Sequence, residues 1–117
     1  MKLFEVRDIL HARVLVGDEW LDREVLAACG SDFMSDVLAY VKDQALLLTG
    51  LVNAQVIRTA EMMDMKCVTF VRGKQPDETL LELAKEREMV IMATPLRMYD
   101  ACGRLYSKGL RGLTEED

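Results

Sequence analysis

Short polar loops that follow apolar runs hold the side chains best suited to chemistry in this 117-residue chain. They carry hydroxyl, carboxylate, carboxamide and guanidinium groups together with glycine, at Ser31, Asp32, Thr49, Gly50, Asn53, Arg72, Gly73 and Thr94. Hydroxyls and backbone N–H groups donate hydrogen bonds and arginine supplies positive charge, so the set suits a phosphate or another small anion. The sequence predicts that these residues bind a ligand. The alternative is that they only cap helices and form turns.

Apolar runs alternate with amphipathic stretches along the chain. The predicted strands are 13–16, 24–28, 45–48, 67–71 and 90–93. A short helix is predicted over 6–12, and longer helices follow each of the last four strands. Parallel strands need such crossovers, and hairpin loops are missing. The predicted fold is α/β, a single compact domain with a mostly parallel sheet, helices on both faces, and strand–helix units in series.

Capping residues predict where the later helices begin. Asn53 is expected to cap the helix after strand 45–48, and Pro76-Asp77 to open the next one. Thr94-Pro95 predicts an N-cap followed by proline in the first turn of the last helix. The side chains of that helix expected to face inward are Met98, Tyr99, Cys102, Leu105 and Tyr106. The domain is expected to span 1–112, followed by an acidic tail over 113–117.

No catalytic apparatus is recognisable in the sequence. His11 is the only histidine, and it lies far from the predicted strand ends, whereas a nucleophile needs a base beside it. The glycine patterns of P-loops and of dinucleotide-binding turns are missing. Asp32 and Asp36, at helical spacing, are a weak alternative as magnesium ligands. We expect no catalytic residue, no metal and no cofactor, with a small phosphatase or transferase as the minor alternative.

The cysteines and methionines are expected to be mostly structural. Cys29, Cys67 and Cys102 lie in apolar contexts without a second ligand at metal-binding spacing, which predicts buried core thiols. Three of the eight methionines crowd one segment, at Met62, Met63 and Met65. They are interpreted as core filler, with an adaptable partner-binding surface as the alternative.

Charge and hydropathy exclude two classes of partner. The formal net charge is -5, which argues against a nucleic-acid backbone because such binding needs clustered cations. No apolar run approaches the roughly 20 residues that a membrane span requires, and the first residues do not resemble a signal peptide. We expect a cytoplasmic protein that binds neither nucleic acid nor membrane.

Several short motifs occur in an order that matches a known family. They are Asp22-Arg23, the run 31–38, Leu48-Thr49-Gly50 with Asn53, Arg72-Gly73, and the segments 76–78, 93–95 and 101–106. Through these motifs the chain resembles the DRTGG domain over roughly 6–110. Asp22, Arg23, Thr49 and Gly50 are the family-like residues, whereas 26–28 are Leu-Ala-Ala where many relatives have glycine.

The resemblance implies a regulatory or assembly role, a homodimer, and no catalysis by the domain itself. The family occurs as small separate proteins, beside phosphotransacetylase, and in pyrophosphatases that carry CBS domains. It is similar in fold to the N-terminal domain of HPr kinase/phosphorylase, whose P-loop kinase domain has no counterpart here. We therefore expect a sensor of a small phosphorylated ligand or nucleotide at the strand ends.

The alternative function is an adaptor that binds a protein partner and no small molecule. A redox or hydrogenase-associated complex is one conceivable setting, because such components are found near members of the family. The dimer contact is expected near Trp20, Met34 and Tyr40, where a small sheet leaves an edge open.

Overall fold

The computed structural model describes residues 1–40 and 44–112, without the side chain of Tyr40. The expected acidic tail, 113–117, lies outside the described residues. The helices are α1 (Leu3–Leu10), α2 (Met34–Tyr40), α3 (Ala54–Met62), α4 (Glu78–Glu86) and α5 (Met98–Ser107). The strands are β1 (Arg13–Val16), β2 (Ala27–Gly30), β3 (Ala45–Thr49), β4 (Cys67–Phe70) and β5 (Val90–Ala93). None of the described helices is long and apolar enough to cross a bilayer.

One five-stranded sheet forms the centre of the molecule, in the order β1-β5-β4-β3-β2. Strands β2 to β5 run parallel to their neighbours, and β1 pairs antiparallel with β5 at one edge. The α/β fold and the mostly parallel sheet are therefore confirmed. The antiparallel β1 needs no hairpin, because its partner β5 lies far along the chain.

The alternating side chains of the strands divide the core into two layers. On β3, Leu47 faces the layer formed with α2, α3 and α4, while Leu46 and Leu48 face α1 and α5. All three leucines are fully buried, as the continuous apolar run predicts for a central parallel strand. Helices cover both faces of the sheet, as predicted.

Successive parallel strands are always neighbours, so the crossovers through α2, α3 and α4 step in one direction and leave these helices on one face. The chain changes face only after β5, because α5 packs in the other layer. The loops after β4 and β5 therefore leave towards opposite faces of the sheet. Such a divergence is where open α/β sheets form a ligand crevice.

Several predicted bounds are wrong, for local reasons. Strand 24–28 is shifted to Ala27–Gly30, because Glu24 pairs with Lys2 in an isolated bridge and Val25 donates its N–H to the Met1 carbonyl. The first helix spans Leu3–Leu10 rather than 6–12.

The start and the inner face of the last helix also differ from the prediction. The helix begins at Met98 with Arg97 as its N-cap, so Thr94 does not cap it. Tyr99 and Tyr106 were expected inside but are 88% and 54% exposed. Ala101 and Leu105 form its buried stripe instead.

Other buried positions were predicted with mixed success. Cys67 is buried as expected, but Cys29 and Cys102 are only half-buried. Met34, proposed for a dimer contact, is 6% exposed and belongs to the core. Met65 fills the core, whereas Met62 is 72% exposed.

Candidate functional site

The carboxyl ends of β2, β3 and β4 bring four of the predicted residues together. Asp32 follows β2, Thr49 ends β3, and Gly50 follows it. One carboxylate oxygen of Asp32 accepts a hydrogen bond from the Thr49 hydroxyl at 3.0 Å and another from the Gly50 N–H at 2.7 Å. The guanidinium group of Arg72, from the loop after β4, lies against the α-carbon of Gly50. We call Asp32, Thr49, Gly50 and Arg72 the strand-end cluster.

Within this cluster the carboxylate of Asp32 is the acceptor for the donors at the end of β3. A hydroxyl and a backbone N–H at a strand end are the donors that an anion uses in such loops. Here the carboxylate of Asp32 already accepts from both, while the hydroxyl oxygen of Thr49 accepts from the N–H of Leu51 at 3.1 Å. Thr49 is fully buried. The cluster is therefore satisfied internally at β3, and its remaining unpaired donor group is the guanidinium.

Backbone hydrogen bonds fix the position of Arg72, whereas its guanidinium group has no ion-pair partner among the described residues. Its φ is 62° and that of Gly73 is 66°, both in the left-handed region. Its N–H donates to the Leu96 carbonyl at 2.7 Å, and the Gly73 N–H donates to the Thr94 carbonyl at 2.9 Å. These bonds join the two diverging loops. The side chain is exposed and forms no ion pair with any described residue.

The other predicted ligand residues lie at the same edge, but their side chains are engaged in local structure. Ser31 accepts the N–H of Phe33 at 3.0 Å, and Asn53 caps α3 by accepting from Gln55 and Val56. The Thr94 hydroxyl donates to the Leu10 carbonyl at 2.7 Å, and its oxygen accepts from Leu96 at 3.2 Å. Thr94 is 1% exposed. For these three residues the structure shows capping and turn contacts.

The family-like pair Asp22-Arg23 lies at the opposite end of the sheet. The Arg23 guanidinium donates to the carbonyl of Glu88, just before β5, at 2.6 Å. It also stacks over the Trp20 ring, 4.6 Å from its centroid, while the Arg23 carbonyl accepts from the N–H of Leu3. Arg23 thus ties the start of α1 and the turn before β2 to the amino end of β5.

The thiols show no sign of nucleophilic activation, which requires a lowered pKa. Burial raises the pKa of Cys67 to about 12. Burial, and then the neighbouring Cys102 and Asp36, raise the pKa of Cys29. Burial also raises the pKa of Cys102.

In the described residues no group of three acidic, histidine or cysteine side chains is placed to hold a metal ion.

Two clefts away from the strand ends were not found from the sequence. One of about 370 Å³ lies between β1, Trp20 and α4, with Asp18, Glu78 and Glu82 among its lining residues. The other, an open groove of about 670 Å³, runs between α1 and α5. The groove between α1 and α5 could have been suspected from the sequence, because Gly103 lies inside a predicted helix, where glycine is unusual.

The fold and the strand-end loops can now be compared with known proteins. A family model described as the DRTGG domain matches residues 5–107. No curated protein sequence matches the chain.

One similar solved structure contains the CBS and DRTGG domains of the regulatory region of Clostridium perfringens pyrophosphatase, complexed with its activator diadenosine tetraphosphate. The TM-score is 0.72 at 18% identity, and the match covers 99% of this chain and 51% of that one. This chain therefore spans about half of that regulatory region, and at this identity the similarity shows the fold. Because the family model covers most of the chain, from α1 to the end of α5, the chain belongs to the DRTGG domain family.

Proposed function

We propose that this chain is a non-catalytic regulatory domain that binds a small phosphorylated ligand or nucleotide at the carboxyl edge of its sheet, and that it acts as a homodimer. The observation that carries the ligand half is the guanidinium of Arg72. It is exposed beside Gly50 and has no carboxylate partner among the described residues. An unpaired guanidinium presents several N–H donors in a planar fork that fits a phosphate.

The surroundings of Arg72 support an anion rather than a neutral ligand. Lys74, two residues further along, is also exposed, so the loop adds a second positive charge on a chain whose net charge is -5. The proposed ligand edge also includes four residues whose turn and capping contacts fix the course of its loops, which are Ser31, Asn53, Gly73 and Thr94. Asp32 has a special part, because a phosphate that displaced its carboxylate would find the Thr49 hydroxyl and the Gly50 N–H already in position.

The relative with known structure agrees with this class of ligand. Its regulatory region was solved with a nucleotide activator, diadenosine tetraphosphate, and we propose a nucleotide or related phosphate compound here by analogy. A cytoplasmic location and a fold shared with the N-terminal domain of HPr kinase/phosphorylase are parts of the same proposal. No kinase activity is transferred with that fold.

The test is ligand titration of the purified chain with AMP, ATP, diadenosine tetraphosphate and inorganic phosphate, followed by calorimetry and thermal unfolding. We expect at least one of them to bind and to raise the melting temperature, since a ligand specific for the folded state stabilises it. Arg72→Ala should abolish that shift. The matched control is Arg58→Ala, which removes an equal charge from an exposed position on α3. If no compound at millimolar concentration stabilises the protein, the ligand half of the proposal is wrong.

Exposed apolar side chains favour the adaptor as a second candidate function. Phe33, Met62 and Tyr99 are 70%, 72% and 88% exposed, and exposed aromatic and methionine side chains are enriched where proteins bind partners. The two functions separate in one comparison. An adaptor would lose its partner on Met62→Ser and would be indifferent to Arg72→Ala, whereas a ligand sensor would show the reverse.

A further inference from the structure

Helix α5 contains a glycine that none of its described neighbours requires. Gly103 lies in the interior of the helix, where glycine is less favourable than alanine. A β-carbon at this position would meet no described atom within 4 Å. Close packing against the rest of the monomer therefore does not explain why a glycine is present here. Gly103 is also exposed. A missing side chain on an exposed helix face lets another backbone come close.

The residues around Gly103 form one continuous surface. It lies along the open groove between α1 and α5, which Gly103 lines together with Ile9, Tyr99 and Ser107. Tyr99 is 88% exposed. Tyr99, Gly103 and Ser107 follow one another at four-residue spacing, so they lie in one row along the helix. The row has a large side chain at Tyr99, none at Gly103 and a small one at Ser107.

The charges beside this row form no ion pair with any of the residues that the structure describes. Asp100, Arg104 and Lys108 line the same groove. Asp100 and Arg104 are four residues apart, yet no ion pair joins Asp100 to Arg104 or Lys108 in the described part of the molecule. The surface therefore carries one negative and two positive groups that are available to a partner.

We propose that this surface is the two-fold interface through which two copies of the chain associate, with the α5 helices crossing antiparallel at Gly103. In such a crossing, a residue that precedes Gly103 by some number of positions lies opposite the residue that follows Gly103 by the same number in the other copy. Tyr99 then lies opposite Ser107 of the second copy, a large side chain against a small one. Gly103 lies opposite itself, where the two backbones are closest.

Charge complementarity selects a second copy as the occupant. In the antiparallel crossing, Asp100 is placed between Arg104 and Lys108 of the other molecule, and the same contacts repeat across the two-fold axis. A parallel two-fold arrangement would instead place the charged side chains of the two copies on opposite edges of the contact, where these charges do not meet. The interface thus pairs the charges that α5 leaves unpaired in the described part of the monomer, and it covers the more exposed of the two tyrosines on α5. This inference rests on the dimeric half of the proposed function and names the surface that produces it.

The test measures the dissociation constant of the full chain by sedimentation analysis, together with its melting temperature. Gly103→Gln adds a side chain at the point of closest approach and should raise the dissociation constant at least about tenfold. Its monomer should remain folded, because glutamine is the better helix former. The matched control, Thr79→Gln on the exposed face of α4, should leave the dissociation constant unchanged.

A charge exchange gives a second, independent readout. Asp100→Arg and Arg104→Asp should each weaken the dimer, and the two changes together should restore most of the affinity, which a loss of folding would not do. If the unmodified chain is a dimer and Gly103→Gln leaves its affinity unchanged, the interface proposed here is wrong while the dimer stands. If the unmodified chain is a monomer at several hundred micromolar, the dimeric half of the proposed function fails and the interface fails with it.

Discussion

The guanidinium group of Arg72 lies so close to the α-carbon of Gly50 that a β-carbon at position 50 would collide with it. The atom in the way is the end of a flexible side chain, and the backbone of Gly50 is outside the left-handed region. A substitution here therefore acts on the position of the guanidinium and only weakly on the fold.

Gly50→Ala is expected to weaken binding of the phosphorylated ligand at least about tenfold, because it moves the cation that contacts the phosphate. The free energy of unfolding should change by less than about 1 kcal/mol. Calorimetric titration and urea unfolding measure the two quantities. Gly112→Ala is the control, since a β-carbon there would meet only the Ala28 carbonyl at 3.8 Å. If Gly50→Ala binds the ligand with unchanged affinity, the position of the Arg72 guanidinium does not determine ligand binding.

Asp32→Ala is expected to cost about 1–3 kcal/mol in the free energy of unfolding, because the buried Thr49 hydroxyl and the Gly50 N–H lose their acceptor. Asp32→Asn should cost less, since its amide oxygen still accepts. Inorganic phosphate should stabilise Asp32→Ala more than it stabilises the unmodified chain, as measured by the melting temperature. Equal phosphate shifts in the two proteins would show that the carboxylate does not stand in for an anion.

Thr94→Val is expected to cost about 1–3 kcal/mol in the free energy of unfolding. Valine keeps the shape of threonine but leaves the Leu10 carbonyl and the Leu96 N–H without their partner at a buried position. Thr69→Val is the matched control, because Thr69 is equally buried and its hydroxyl has only a 3.9 Å contact with the Cys67 sulfur. Denaturant unfolding of both variants checks the difference, and comparable losses would argue against a special role for the Thr94 bonds.

Stability should fall as pH rises above about 9, in part through Cys67. The unfolded thiol loses its proton near pH 9.0, whereas burial raises the folded pKa to about 12. Between these values the folded state binds more protons than the unfolded state, so increasing pH favours unfolding. Unfolding of Cys67→Ala at pH 8 and pH 10 should show roughly 1 kcal/mol less pH-dependent loss than the unmodified chain. The same loss in both proteins would mean that this thiol is not protected in the folded state.

Most of the sheet follows from the sequence, whereas the buried face of α5 does not. Strands β1 and β5 have the predicted bounds, and β3 and β4 differ by one residue, because each is a compact apolar run between turn residues. In α5, apolar residues form two adjacent stripes, so hydrophobicity alone does not show which one is buried. Ala101 and Leu105 are buried, while Tyr99 and Tyr106 face outward.

The candidate site was predictable in place but not in detail. The order of strand–helix units sends the polar loops to one edge of the sheet, and they meet there. The bonds from Thr49 and Gly50 to Asp32 depend on the register of β2 against β3, in which Gly30 pairs with Leu48. Register of this kind is set by the packed core rather than by local sequence.

The single direction of the three crossovers also bears on how the chain folds. Each parallel strand pairs with its nearest neighbour in sequence, so β2 to β5 can assemble through short loops as one growing unit. The layer of α1 and α5 is different, because its two helices come from opposite ends of the described sequence. We expect it to form last, with amides of α1 protected later than those of β3 in pulse-labelled hydrogen exchange during refolding. The helix that carries Gly103 would then present its outer face only once the rest of the domain is complete.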